Sequence, residues 1–201
     1  MTDTPTRSDD RGLVDAVLGG EPGAFDRLVR EHQTLCWHIV LKLVRDPDDA
    51  QDLCQETFLR VHRYLSQYRF DSALRTWIGR IAYSAALRHL ERRRLPLADD
   101  PLLVDADDAE GGRSDALDRI PGDDDLQARL EQTQIDAIVR RHMDRLPPIQ
   151  SLLLTLYHLD ELTIPEIAAT TGLPSGTIKS HLSRARVRLR DSLATVLGER
   201  A

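Results

Sequence analysis

Apolar residues in the first half of the chain recur at three- and four-residue steps. Phe25, Leu28, Val29, Leu35, Cys36, Ile39, Val40 and Leu43 have the spacing that puts one face of an α-helix into a core. The pattern stops near Asp46, which can cap a following helix, with Pro47 at a first position where a missing N–H costs nothing. A second stripe runs through Ala50, Leu53, Cys54, Thr57, Phe58, Val61 and Leu65, while Asp48, Asp52, Gln55, Glu56 and Arg60 fall largely off it. This predicts an amphipathic helix with a polar outer face. After the break Gln67-Tyr68-Arg69-Phe70-Asp71, a third helix turns Leu74, Trp77, Ile78, Ile81, Ala82, Ala85 and Leu90 inward and ends in Arg92-Arg93-Arg94.

In the second half, Leu126, Leu130, Ile138, Val139 and Leu146 predict a lead-in helix. Pro147-Pro148 breaks it before Ile149, Leu152, Leu153, Leu156 and Tyr157. Thr163 and Glu166 have the spacing of a capping box, which opens a short helix containing Ile167 and Ala168. Gly172 supplies a turn. Ser175 is placed to cap a last helix with Ile178, Leu182, Ala185 and Leu189 inward and Lys179, Arg184, Arg186, Arg188 and Arg190 elsewhere on it. The order helix, glycine turn, basic helix is that of a helix-turn-helix. No segment alternates as a strand does, so the expected fold class is all-α.

Charge changes the picture in one place. Between Leu95 and Ala128 there are 11 acidic side chains against Arg113 and Arg119, a net of −9. The total of −6 therefore leaves +3 for the rest of the chain, which removes an objection to nucleic-acid binding. The same stretch holds Pro96, Pro101, Gly111, Gly112, Pro121 and Gly122 and no aromatic residue. It reads as a flexible acidic linker between two small helical domains, a division that 201 residues can support. No apolar run approaches the roughly 20 residues needed to span a bilayer, and Met1 to Asp10 is polar, unlike a signal peptide. A cytoplasmic protein without membrane insertion is expected. Two cysteines, Cys36 and Cys54, give no disulfide framework and read as core residues.

Candidate chemistry concentrates in the last helices. The second helix of a helix-turn-helix enters the major groove by its N-terminal end, where free N–H groups and the dipole also favour phosphate. Small polar residues Ser175, Thr177 and Ser180 cluster there with Lys179. An ordinary helical hairpin with a solvated basic face is the plainer alternative. His32 and Cys36 share a helix face, with His38, Cys54 and His62 nearby in the pattern, but no second pair has ligand spacing and no metal or other cofactor is expected. There is no Gly-rich phosphate loop, nucleophile elbow or paired-carboxylate site. An enzyme is not expected.

Gly176-Thr177-Ile178-Lys179-Ser180-His181, leading into Arg184-Ala185-Arg186, resembles the C-terminal promoter-binding domain of bacterial sigma factors. By itself the motif also suits a response-regulator effector domain. The first half decides: Asp49-Ala50-Gln51-Asp52-Leu53-Cys54-Gln55-Glu56-Thr57-Phe58-Leu59-Arg60 resembles the family's polymerase-clamp helix. Phe70-Asp71-Ser72-Ala73-Leu74-Arg75-Thr76-Trp77-Ile78-Gly79-Arg80-Ile81-Ala82 is similar to its promoter-melting helix. The chain is thus identified by resemblance as an extracytoplasmic-function (group 4) sigma factor of the sigma-70 family.

The resemblance implies four segments: a tail and short helix over 1–20, sigma region 2 over 21–94, the acidic linker over 95–128, and a sigma region 4 helix-turn-helix over 129–201. It implies that Asp49, Asp52, Gln55, Glu56 and Arg60 meet core RNA polymerase. Gln67, Tyr68, Arg69, Phe70, Asp71, Arg75, Arg80, Arg88, Arg92 and Arg93 would meet start-proximal promoter DNA, the loop by receiving an extruded base. Ser175, Thr177, Lys179, Ser180, His181, Arg184 and Arg186 would meet upstream promoter DNA. His181 stands where the family commonly has arginine, and Ser84 and Arg88 where many relatives have Asn and Asp. An anti-sigma factor is an expected partner, since no sensor domain is evident. A stand-alone dimeric DNA-binding regulator and, more remotely, a metal-dependent hydrolase are the competing classes.

Overall fold

The computed structural model describes residues 7–94 and 138–198, and among them every regular element is helical. The chain runs through α1 (Arg7–Leu18), α2 (Ala24–Val44), α3 (Pro47–Tyr64), a 3-10 turn (Leu65–Gln67) and α4 (Leu74–Arg94). It continues with α5 (138–144), α6 (Pro148–His158), α7 (Ile164–Thr171) and α8 (Ser175–Gly198). The acidic linker, and Leu126 and Leu130 of the lead-in helix, lie outside the described residues.

Local sequence sets several of the boundaries. The Asp46 carboxylate accepts from the backbone N–H groups of Asp48 and Asp49 at 3.0 and 3.1 Å, satisfying two of the orphan donors that open α3. Thr163 and Glu166 close the expected capping box, with Glu166 Oε2 accepting from Thr163 N at 2.8 Å. Gly172, at φ 74°, takes the left-handed position after α7 that a residue with a Cβ adopts only with strain. The α8 start differs by one residue from expectation: Ser175 is already helical, and the Pro174 carbonyl accepts from Ile178 N at 3.0 Å.

The start of α4 is capped from a distance. Asp10 of α1, 5% exposed, accepts from Leu74 N at 2.8 Å across 64 residues of sequence. Burial pushes the Asp10 carboxyl up, while the Leu74 N–H bond opposes that rise. Helix α1 is therefore tied to the start of α4.

Helix α2 packs on both α3 and α4. Leu28, Cys36, Ile39, Val40, Val61, Leu65, Leu74 and Ile78 fill the space between them, each at 1% exposure or less. Helix α6 is enclosed by α7 and α8 around Leu152, Leu153, Leu156, Leu162, Ile167, Ile178 and Leu182. These two groups are docked, with α6 against α2 and α7 against α4, and their apolar residues form one continuous cluster.

Gly79 of α4 permits this approach. A Cβ there would lie 3.0 Å from Thr170 Cγ2 and 3.2 Å from Ile39 Cδ1. Polar contacts rim the seam: Arg75 to Glu166 at 2.5 Å, His38 to Asp160 at 2.8 Å, Lys42 to Asp144 at 2.6 Å, and Arg45 to the Leu146 carbonyl.

Candidate nucleic-acid and partner interface

On α8, Ile178, Leu182 and Ala185 are buried against α6 and α7, which turns the other face outward. Ser175, Lys179, Ser180, Arg184 and Arg186 are exposed, and Thr177 and His181 are half-buried. The structure thus gathers the predicted upstream-DNA residues along one end of one helix, the geometry by which such a helix is read into a groove.

His181 differs from its neighbours. Its Nδ1 is buried without a hydrogen-bond partner, and burial, then the charge of Arg184, holds its pKa below the ordinary histidine value. The ring is neutral at neutral pH and supplies no cation where arginine commonly stands. Arg186 lies over the Tyr157 ring at 5.4 Å, which orients its guanidinium without neutralising it.

On α3, Ala50, Leu53, Thr57, Phe58 and Val61 are buried, so Asp52 and Gln55 face solvent with Glu56 and Arg60 half-exposed beside them. Glu56 and Arg60 pair at 2.5 Å, one helical turn apart. Asp49 is engaged across the fold, with Arg93 at 2.6 Å and His89 at 3.3 Å.

The sequence reading missed Leu59, which is 72% exposed. It lies four and three residues beyond Gln55 and Glu56, the same outer face. That spacing was the available signal, hidden because a leucine beside Phe58 reads as core.

In the loop before α4, Gln67, Arg69 and Asp71 are exposed, but Tyr68 is buried. Its hydroxyl donates to the Ser72 carbonyl at 2.5 Å, and its ring lies 4.6 Å from Phe70 and 5.3 Å from Trp77. In this arrangement Tyr68 anchors the loop. Phe70 has φ 59°, a conformation that costs a bulky side chain steric strain, and Arg11 of α1 sits 4.8 Å over its ring.

Arg88, Arg92 and Arg93 line the exposed end of α4. Arg75 does not join them, because it holds Glu166 in the seam, while the exposed Arg80 donates through Nε to the Ala169 carbonyl at 3.1 Å. One predicted DNA contact, Arg75, is thus spent on the seam. Among the described residues, no group of three or more His, Cys, Asp or Glu is placed to hold a metal ion, and no helix is long and apolar enough to cross a membrane.

Comparison with known proteins agrees with this layout. The family model "Sigma-70 region 2" matches residues 28–95, and "Sigma-70, region 4" matches 136–189. The chain is 35% identical over 195 residues to the RNA polymerase sigma-H factor of Pseudomonas aeruginosa, covering 96% of this chain and 98% of that protein. It is 37% identical over 180 residues to the ECF RNA polymerase sigma-E factor of Escherichia coli K12, covering 88% and 90%.

Among solved structures, CnrH in complex with the cytosolic domain of CnrY aligns at a TM-score of 0.59 with 22% identity, over 92% of this chain and 97% of that one. The sigma factor RpoE bound to the anti-sigma factor NepR from Bartonella quintana gives 0.59 and 22%, over 85% and 97%. At that identity these two speak for the fold. With both regions matched in order and near-full-length relatives above 30% identity, the chain belongs to the sigma-70 family, as a sigma factor of the extracytoplasmic-function type that serves transcription initiation.

Proposed function

We propose that the outer face of α3, with Asp52, Gln55, Glu56, Leu59 and Arg60, is the docking face for core RNA polymerase. The observation that carries this is Leu59: a large apolar side chain left in solvent between charged neighbours has the make-up of an interface centre with a polar rim. Asp49 contributes by holding Arg93, which fixes α4 relative to α3.

The loop Gln67 to Asp71 and the exposed arginines Arg88, Arg92 and Arg93 then meet the start-proximal promoter element. The N-terminal half of α8 reads the upstream one. Lys179, Arg184 and Arg186 hold phosphate while Ser175, Thr177 and Ser180 face base edges. Linking the two weak contacts in one chain raises the effective concentration of the second. The acidic segment over 95–128 joins the two modules and, by its charge, competes with DNA for their basic surfaces before polymerase is engaged.

The docked arrangement has a functional consequence. Arg75, mostly buried against Glu166, reaches promoter DNA only when α7 leaves α4, so its engagement requires the seam to open. One solved neighbour of this fold, the sigma factor RpoE of Bartonella quintana, is bound to the anti-sigma factor NepR, which supports control of this chain by an anti-sigma factor that holds both modules. The chain acts in the cytoplasm, where transcription takes place, and acts by binding without catalysing a reaction.

Run-off transcription with sigma-free core polymerase tests the reading. Addition of the chain is expected to produce promoter-dependent transcripts. Lys179→Ala and Arg184→Ala are expected to weaken every promoter, and Ser175 or Thr177 substitutions to change the preferred upstream sequence. Absence of any complex with core polymerase would overturn it, as would equal loss on all promoter variants for the base-reading assignment.

A further inference from the structure

Cys36 of α2 and Cys54 of α3, 18 residues apart in sequence, are brought together in the core with their sulfurs 3.5 Å apart, the Cys36 thiol donating to Cys54 Sγ. No disulfide joins them, and their environments differ: Cys36 is completely buried, whereas Cys54, though packed against the core, is only partly buried. From this geometry we infer that the pair is an oxidation site, at which hydrogen peroxide or a comparable small peroxide converts the two thiols to a disulfide that staples α3 to α2.

The asymmetry assigns the order of events. The hydrogen bond from Cys36 lowers the Cys54 thiol's pKa, against a smaller opposing effect of burial. For Cys36, hydrogen bonding to Cys54 and burial act in the other direction and raise it. Cys54 is thus the accessible, more readily ionised partner and Cys36 the resolving one.

Cys54 thiolate attacks one peroxide oxygen. An S–O bond forms, the O–O bond breaks, and the departing hydroxide takes up the proton released from Cys54 as water, leaving a sulfenic acid. The Cys36 sulfur then attacks that sulfur. The S–S bond forms, the S–O bond breaks, and the hydroxide leaves as a second water with the Cys36 proton. In sum, two thiols lose two protons and two electrons to one peroxide, which becomes two waters.

The sulfurs must close from 3.5 Å to roughly 2.05 Å, a movement that side-chain rotation and a small shift of α3 can share. Cys54 lies between Asp52 and Gln55, so the staple draws on the middle of the helix and turns the outer face with it. This last consequence rests on the proposed polymerase-docking role of that face.

The full-length chain, treated with stoichiometric hydrogen peroxide and then alkylated under denaturing conditions, tests the site. Expected are a fall from two alkylatable thiols to none, a loss of two hydrogen masses, a Cys36–Cys54 linked peptide, and full reversal by dithiothreitol. Cys54→Ser is expected to leave Cys36 alkylatable after the same treatment. Cys36→Ala is expected to stop the oxidation of Cys54 at the sulfenic acid with stoichiometric peroxide and to carry it on to sulfinic acid when peroxide is in excess.

Two alkylatable thiols after treatment, or a sulfinic Cys54 beside an intact Cys36 in the unsubstituted chain, would overturn the proposal. So would a disulfide found only between molecules. Core-polymerase affinity of the oxidised chain is measured separately and is expected to fall about tenfold, a loss equal to roughly 1.4 kcal/mol. An unchanged affinity with the bridge formed would overturn the coupling to polymerase and leave the oxidation site standing.

Discussion

The Arg75–Glu166 pair gives the sharpest quantitative handle on the docked arrangement. Arg75 directs Nε and a terminal nitrogen at Glu166 Oε1, at 3.1 and 2.5 Å, and the two side chains are only 15% and 21% exposed. Glu166 Oε2 meanwhile completes the α7 capping box with Thr163. Burial pushes the Glu166 carboxyl up, but hydrogen bonds from Thr163 and Arg75 outweigh it, and the net displacement is downward. Its charge is therefore stabilised in place.

Glu166→Gln keeps the volume and removes the charge. The single amide oxygen satisfies either Thr163 or Arg75, and the NH2 then faces a donor. A charge-assisted hydrogen bond in a mostly buried site contributes about 1.5–3 kcal/mol. The closed-to-open ratio should therefore fall about tenfold to a hundredfold, since opening restores the solvation of Arg75 but not the lost bond. Fluorescent labels at exposed Arg63 on α3 and Val187 on α8 report the closed population by energy transfer.

Thr163→Ala removes the cap at a cost of about 1 kcal/mol and one hydrogen bond to Glu166 Oε2 while leaving the Arg75 contact in place, so it should open the seam less than Glu166→Gln does. Gly79→Ala should open the seam by a different route, since its Cβ would meet Thr170 and Ile39 at 3.0 and 3.2 Å. An unchanged transfer distribution for both Glu166→Gln and Gly79→Ala would refute the view that these contacts hold the modules together.

Further outcomes follow from other parts of the molecule. His32 is 6% exposed with Nε2 unpartnered, and burial, then the charge of Arg75, lowers its pKa to about 4. The unfolded chain takes up this proton first on acidification, so the stability is present above pH about 6.5 and drains away as pH falls toward 4, by about 3 kcal/mol in all. Urea midpoints measured from pH 8 to pH 4.5 should show a shallower acid slope for His32→Leu; an identical slope would mean that another group titrates.

Asp10→Ala leaves Leu74 N without its 2.8 Å partner and should cost about 1 kcal/mol in thermal unfolding, while Asp10→Asn should recover most of it. Equal losses for the two would mean that the cap is not the cause. Leu59→Ala should weaken core-polymerase binding about tenfold, the loss expected of a central apolar anchor, with the melting temperature unchanged. Undiminished binding would remove Leu59 from the interface.

What the sequence determined by itself is what helix geometry writes into short offsets. The Asp46 cap, the Thr163–Glu166 box, the Gly172 turn and the buried faces of α2, α3 and α8 all follow from residues within a turn or two of each other. The exposed basic end of α8 follows in the same way, because burying Ile178, Leu182 and Ala185 forces Lys179, Arg184 and Arg186 outward. The family motifs, carried on those same helices, were legible for the same reason.

Tertiary structure decided whatever depends on which helix docks on which. Asp10 capping α4, the approach of Cys36 to Cys54, Tyr68 folding under its loop, and Arg75 and Arg80 turning toward α7 join residues from 4 to 91 positions apart. No periodicity encodes the longer of these meetings. They are selected by side-chain shape at the contacts, as at Gly79, where one missing Cβ sets how closely α7 lies on α4.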